Sequence, residues 1–270
     1  MEIFDQIEKK YKQGSTYEEK FMVLAKEILN NFTLKIKDID YSIEEIEVYF
    51  KSDDHKDIYV HCDEAQLTRG QWYFHKFKSG AYKGGTFKGL DMTFGTKSDT
   101  GNKFGGILIR SISSDDEFIT GPSNTVSHIL SKTNFDSVSN LVDSLKTMSI
   151  DNKKNPFYVQ YSKGKGRGKD IFTGPRVGLS FKDHEYTFIN YRYLTNPKKI
   201  PKYRSTVIST LYKDGKTSQE ITEATQLNES SVKKCIKDFD DGKDFKPTDE
   251  DMNVNIINIL YGWFTHKTKQ

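Results

Sequence analysis

An α+β fold is predicted by three features of the sequence. Helical periodicity marks the first thirty or so residues, period-two alternation and glycine-punctuated aromatic runs fill residues 32 to 115, and the texture changes after Pro201 to short, capped helices. The expected architecture is a mixed or antiparallel β core, a curved sheet or partial barrel, surrounded by helices. A small all-α helix-turn-helix module is expected behind it. The boundary is placed at the Pro/Lys segment 197–201, giving domains 1–200 and 201–270.

The elements follow in order. Ile3, Phe4, Ile7 and Tyr11 recur at helical spacing, and Gln13-Gly14-Ser15 breaks that helix. Thr16 opens a second helix with Glu19 three residues on, a capping box, and Phe21, Met22, Leu24, Ala25, Ile28 and Leu29 form its apolar stripe. Strands are predicted between Phe32 and Phe50. Asp57–His61 reads as a short strand, Gln71–Phe77 as an extended aromatic segment and Ser79-Gly80 as a turn. Gly84–Phe94 reads as a glycine-weakened strand and Gly105–Ile112 as a buried one. Gly121-Pro122-Ser123 starts a helix through Val126, Ile129 and Leu130, and 135–148 predicts another. Ser162–Lys169 is a flexible basic loop, and Glu185–Tyr193 reads as aromatic β structure.

Beyond Pro201, Tyr203–Tyr212 is a helix carrying Val207, Ile208 and Leu211. Thr217 and Glu220 make a second capping box, opening a short helix through Ile221 and Ala224. Thr225–Asn228 is a turn and Ser230–Phe239 a third helix, the layout of a helix-turn-helix. Ala224 is the small residue expected where two helices pack closely. Asn253–Phe264 is expected to dock as a helix.

Composition bounds the function. The chain is 35% hydrophobic and 29% charged, and its 13% of aromatics supplies much of the core bulk. A net charge of +3 over 270 residues means that nucleic-acid affinity has to come from local patches. Two cysteines, Cys62 and Cys235, are too few for a zinc cluster and fit a reducing, intracellular setting. No apolar run reaches membrane-spanning length, and residues 1–5 have neither the basic start nor the apolar core of a secretory signal. A soluble, cytoplasmic protein is expected.

Four features can carry chemistry. In Ile43–Phe50, read IEEIEVYF, a strand points Ile46 and Val48 one way and Glu45, Glu47 and Tyr49 the other. Half-exposed strands often carry Glu on the wet face. Two carboxylates beside a tyrosine also suit a site, and Glu47, central in the strand, is the candidate general base. The hairpin from Trp72 to Phe94 holds Tyr82 and Lys83 just past its turn, with Lys76, Lys78 and Lys88 nearby. An aromatic side chain at such a tip can wedge between bases. The loop bearing Lys163, Lys165 and Arg167 has the glycines to follow a phosphate chain but lacks P-loop spacing. In the last helix of the helix-turn-helix, Val232, Ile236 and Phe239 form the inner stripe. That leaves Lys233, Lys234 and Lys237 for phosphates and Asn228, Ser230 and Ser231 for base edges. No Ser/His/Asp order, metal-ligand spacing or dinucleotide fingerprint is present.

The order of these pieces resembles the alkyladenine (3-methyladenine) DNA glycosylases. The matching residues are Glu45-Ile-Glu47-Val-Tyr49, His61, the hairpin at 72–94, Ile107-Leu-Ile-Arg110-Ser, Gly121-Pro-Ser and Gly174-Pro-Arg176-Val-Gly, spread over residues 40–195. The resemblance implies a monofunctional, metal-independent glycosylase, a nucleoid-associated monomer without cofactor or metal. It would flip a damaged or modified base out of double-stranded DNA and leave an abasic site, in base excision repair or in defence against foreign modified DNA. By position, Glu47 would activate the water that attacks the anomeric carbon, and Arg110 would hold that water and the local backbone. Tyr49 would stack on the base, and His61 (or His55) would contact base or phosphate. Tyr82 would be the wedge; the cations of the hairpin and the basic loop, Lys83, Lys88, Lys163, Lys165 and Arg167, together with Arg176, are then expected on the DNA backbone. Asp91 stands where the family has an Asn that screens bases, so a different base is expected to be accepted. The helix-turn-helix is not part of the family pattern. Two other classes fit the residues: a non-enzymatic helix-turn-helix regulator, and a nuclease using Glu45, Glu47 and Asp91 on magnesium.

Overall fold

The computed structural model describes residues 2–162, 166–248 and 251–268. The fold is α+β. Two compact units divide it, Met1–Ile171 and Phe172–Gln270, so residues 172–200, grouped by sequence with the first domain, cluster with the C-terminal helices.

The first unit opens with helices α1 (Glu2–Glu8) and α2 (Tyr17–Asn31). The Thr16 hydroxyl accepts from the Glu19 N–H at 3.3 Å, and the Glu19 carboxylate accepts from the Thr16 N–H at 2.9 Å, so the capping box starts α2 where expected. The strands are β1 (Phe32–Ile36), β2 (Ile39–Ser52), β3 (His55–Lys56), β4 (Trp72–Phe74), β5 (Leu90–Thr93), β6 (Phe104–Ser113), β7 (Phe118–Thr120) and, after helices α3 (Pro122–Thr133) and α4 (Val138–Ser144), β8 (Phe157–Tyr161). They pair antiparallel in the order β4-β5-β6-β2-β1-β8, with β3 on β2 and β7 on β6, and the sheet does not close into a barrel.

Register assigns the two faces. Val48 pairs with Ile107, Ile107 with Met92 and Met92 with Trp72, so these four share one face, and all are fully buried. Phe50 and Phe94 continue that face, and Phe21 of α2 covers them at ring distances of 5.7 and 6.1 Å. Burying each such side chain contributes about 1.5–3 kcal/mol. The neighbouring row, Glu47–Leu108–Asp91–Tyr73, lies on the opposite face. Shared burial thus brings the acids of β2 and β5 to a common surface.

Several sequence expectations are corrected. Asp57–His61 is not a strand: the Asp57 carboxylate accepts from the Tyr59 N–H at 3.0 Å and turns the chain. Of Gly84–Phe94 only Leu90–Thr93 is extended, because Gly85 sits at φ 55° and begins a single 3-10 turn. The helix expected over 135–148 is confined to α4, capped by Ser137. Glu185–Tyr193 is partly helical: α5 (His184–Phe188) is capped by Asp183, and only β10 (Arg192–Leu194) is extended, paired with β9 (Phe172–Gly174).

The second unit continues with α6 (Arg204–Lys213), α7 (Ser218–Thr225), α8 (Glu229–Asp241) and α9 (Ile257–Lys267). Ile208, Ile221 and Val232 form the core of the three-helix module, and Thr217/Glu220 is a complete capping box. Ala224 is exposed; the buried small residue is Thr225, whose hydroxyl donates to the Ile221 carbonyl. The tail docks as α9, with Leu260 and Tyr261 against Phe239. Gly262 is required there, since a Cβ would lie 2.0 Å from the Phe239 carbonyl oxygen. Among the described residues no helix is long and apolar enough to cross a membrane.

One network couples the first unit to pH. The buried Tyr41 hydroxyl donates to Glu117 at 2.8 Å and lies 2.9 Å from His128 Nε2, while Lys132 Nζ is 3.1 Å from Glu117. The Tyr41 hydrogen bond lowers the Glu117 pKa, and burial lowers that of His128 against the pull of Glu117. In both cases the unfolded chain binds more protons, so this stability is present above the unfolded pKa and lost as pH falls. His128 acts from about pH 6.5 downward and Glu117 from about 4.5 downward. The urea midpoint is expected to fall from pH 7.5 to pH 4; in Glu117→Gln the fall between about pH 6.5 and 4.5 should persist and steepen, because the carboxylate that counters the burial of His128 is gone, while the carboxylate's own part below about pH 4.5 disappears.

Candidate functional site

The polar face of the sheet is organised around Arg110. β2 carries a bulge at Glu44–Glu45, where the pairing with β6 shifts register. This lets two acids from one strand meet one cation. Arg110 Nε donates to Glu45 at 3.0 Å, and its Nη1 lies 3.3 Å from Glu47 Oε2. The Tyr49 hydroxyl donates to the same Glu47 oxygen at 2.9 Å, and the Ser111 hydroxyl to the second Glu45 oxygen at 2.5 Å. Glu45, Glu47 and Arg110 are all buried. Burial would lower the Arg110 pKa, but Glu47 and then Glu45 more than reverse this and hold it above the ordinary arginine value. The expected pair Glu47 and Arg110 is therefore brought together, with Tyr49 on it. Glu45 is the second partner of the cation.

Asp91 lies on the same face, two strands from Glu47, which sets their backbones about 10 Å apart. His75 Nε2 lies 2.8 Å from Asp91 Oδ1. Gly106 leaves room beside it: a Cβ there would stand 2.7 Å from Asp91 Oδ2 and 2.8 Å from Gln66 Nε2, so these side-chain ends would have to shift. His61 meets the His75 ring edge-on at 4.5 Å, and its Nδ1 lies 3.1 Å from the Tyr73 hydroxyl. Its other side is exposed to solvent. Burial of the inner edge, followed by the neighbouring His75, holds the His61 pKa below the usual histidine value. A neutral histidine thus sits at the rim of a patch holding Asp91, His75 and Tyr73. His55 does not reach it; it is buried among Tyr17, Phe21 and Phe50.

The residues expected on the DNA backbone are dispersed. Tyr82 is turned inward, edge-on to Phe74 at 6.3 Å. The exposed aromatics of this region are Phe77 and Phe87, 50% and 69% accessible. Tyr82 is less exposed than either ring. Lys83 and Lys88 line a cleft of about 520 Å³ with Ser137 and Ser139, and Lys88 also donates to the Gly85 carbonyl. Arg167 folds back, donating to the Phe32 carbonyl at 2.9 Å and the Thr33 hydroxyl at 2.8 Å. Arg176 is buried and donates to the Tyr186 carbonyl at 2.9 Å, a structural contact rather than an exposed phosphate contact. Lys163 and Lys165 lie outside the described residues.

On α8, Ser230, Lys233, Lys234 and Lys237 are exposed, as expected. Lys233 pairs with Glu229 at 2.7 Å and Lys237 with Asp241 at 2.6 Å, each one helical turn away. The helix carries four carboxylates (Glu229, Asp238, Asp240, Asp241) against three lysines. Its field is therefore not that of a strongly basic reading helix.

Sequence reasoning missed His75, Tyr73 and Gln66. The signal for the first two was present: Tyr73 and His75 are two residues apart in the extended segment expected over 71–77, a spacing that puts them on one face, opposite Trp72 and Phe74. Among the described residues no group of three or more His, Cys, Asp or Glu is arranged to hold a metal ion.

Comparison with known proteins gives a viral relative. The curated "Uncharacterized protein L759" of Acanthamoeba polyphaga mimivirus is 37% identical over 202 residues, covering 70% of this chain and 92% of the relative. No family model and no solved structure matches the sequence.

Proposed function

The chain belongs to the same family as the mimivirus protein L759, and we propose that it is a monofunctional DNA glycosylase. It would flip a damaged or modified base out of duplex DNA and hydrolyse its N-glycosidic bond. The observation that supports this best is the sheet face itself, where a carboxylate held by a buried arginine and a tyrosine, Glu47–Arg110–Tyr49, shares a register row with Asp91 and Tyr73. In the reaction, Glu47 takes a proton from the attacking water as the C1′–N bond breaks, and the base leaves with the bonding electrons. Arg110 fixes the carboxylate. Tyr49, His61 and the Asp91–His75 pair contact the extruded base. Glu47 has no exposed surface in the unbound chain, so insertion of the nucleotide has to open this face.

Because Asp91 is engaged by His75, the pocket offers an acceptor and histidine donors rather than an amide. It should prefer a base whose edge carries both donors and acceptors. A magnesium nuclease needs its carboxylates turned to a shared cation. Here Glu45 and Glu47 both face Arg110. Duplex DNA carrying a panel of modified bases should accumulate alkali-labile sites when incubated with the protein in EDTA. Strand breaks that require magnesium and no prior alkali treatment would refute the reading.

A further inference from the structure

The second unit contains a cationic element outside the helix-turn-helix. Lys198, Lys199, Lys202 and Arg204 fall within seven residues, and no carboxylate occurs between Glu185 and Asp214. The backbone of this segment is fixed. Pro197 and Ile200 are buried and anchor it. The Lys199 N–H donates to the Asn196 side chain at 3.1 Å. Arg204 Nη2 donates to the Lys198 carbonyl at 2.8 Å. The buried Arg192 donates to the Lys202 and Tyr203 carbonyls at 2.8 and 3.2 Å. Tyr203 takes a left-handed conformation, φ 52°, which ends the segment and starts α6. Between these anchors Lys198, Lys199 and Lys202 stand exposed.

We propose that this arm, residues 196–204, is the element of the second unit that grips the phosphate backbone of duplex DNA, while α8 contributes little to the electrostatic part of binding. The identification rests on the DNA-directed reading given above. Two contrasts carry it. The arm holds four cations and no acid, whereas α8 is net acidic and two of its three lysines are paired with their own helix. The arm's backbone is also ordered in advance by two arginines, so a phosphate track meets lysines on a fixed base and less ordering entropy is lost on binding. Binding by such groups releases counterions and is independent of sequence.

The test is the salt dependence of duplex binding by the full chain, followed by fluorescence anisotropy on an unmodified 20-base-pair probe. Each phosphate contact contributes about 0.9 to the slope of log K against log salt. Lys198→Ala/Lys202→Ala should therefore reduce the slope by about 1.8, and Lys198→Arg/Lys202→Arg should keep it. Both lysines are exposed, and matching thermal unfolding curves would verify that the variants fold. An unchanged slope in the alanine variant overturns the proposal. So does an equal reduction in Lys233→Ala/Lys234→Ala/Lys237→Ala with none in the arm variant. Duplex binding that depends on the arm without any base release would sink the glycosylase reading and leave this one standing. Base release with an arm-independent slope would do the reverse.

Discussion

Glu47→Gln protein is expected to bind duplex DNA with wild-type affinity and to release base about 10²–10⁴-fold more slowly, the usual loss when a positioned general base is removed. The substitution is nearly isosteric. The introduced amide still accepts from the Tyr49 hydroxyl through its carbonyl oxygen, and Arg110 keeps its 3.0 Å hydrogen bond to Glu45. The change therefore removes proton-accepting ability while leaving most of the packing in place. Single-turnover base release, with binding measured on the same probe, separates the two effects. A rate within about threefold of wild type, far short of the loss expected for a general base, would remove Glu47 from the chemistry and turn attention to Asp91, the other buried acid of the row. A matched Glu45→Gln variant sharpens the test. Glu45 touches Arg110 and Ser111, so its loss should shift the position of the cation and cost less.

The parts of this site that were legible in the sequence are those that depend on strand period alone. IEEIEVYF sets Glu47 and Tyr49 on one face without reference to anything outside the strand. Arg110 was legible through the ordered motif around it, since its strand is an unbroken apolar run that needs a reason to end in a cation. The bulge at Glu44–Glu45 was not legible, because it exists only in the pairing of β2 with β6. His75 was hidden in an aromatic run, WYFHKF, that reads as core; Trp72 and Phe74 are core, and His75 meets Asp91. Tyr82 was chosen from its place in the hairpin, yet which aromatic ends up outside depends on how the hairpin lies on Phe74. Arg167 and Arg176 show a general difficulty. A long cationic side chain in a basic or glycine-rich segment reads as a phosphate ligand, but it can as easily fold back onto carbonyls. The converse holds for 197–201. This Pro/Lys segment reads as a domain boundary, and only the Arg192 and Arg204 contacts reveal it as an anchored arm.

Arg110→Met should be the most destabilising single substitution on this face, by about 3–5 kcal/mol, the usual cost of leaving a buried charge uncompensated. Methionine fills much of the space of the arginine stem, so the loss is not chiefly a cavity effect. It comes from two carboxylates, Glu45 and Glu47, 1% and 0% exposed, that lose the cation lying between them. Ser111 and Tyr49 still donate to them, which compensates only in part. Two consequences separate this account from simple packing damage. Lowering the pH should narrow the gap between variant and wild type, because buried carboxylates that have lost this cation take up protons more readily in the folded state and shed the repulsion. The triple variant Glu45→Gln/Glu47→Gln/Arg110→Met should recover much of the lost stability, since replacing all members of a buried ionic group avoids the penalty of breaking it. Urea midpoints at pH 5 and pH 8 for the three proteins decide the matter. Equal losses at both pH values, with no recovery in the triple variant, would mean that Arg110 acts by shape, and the electrostatic organisation assigned to this face would have to be abandoned.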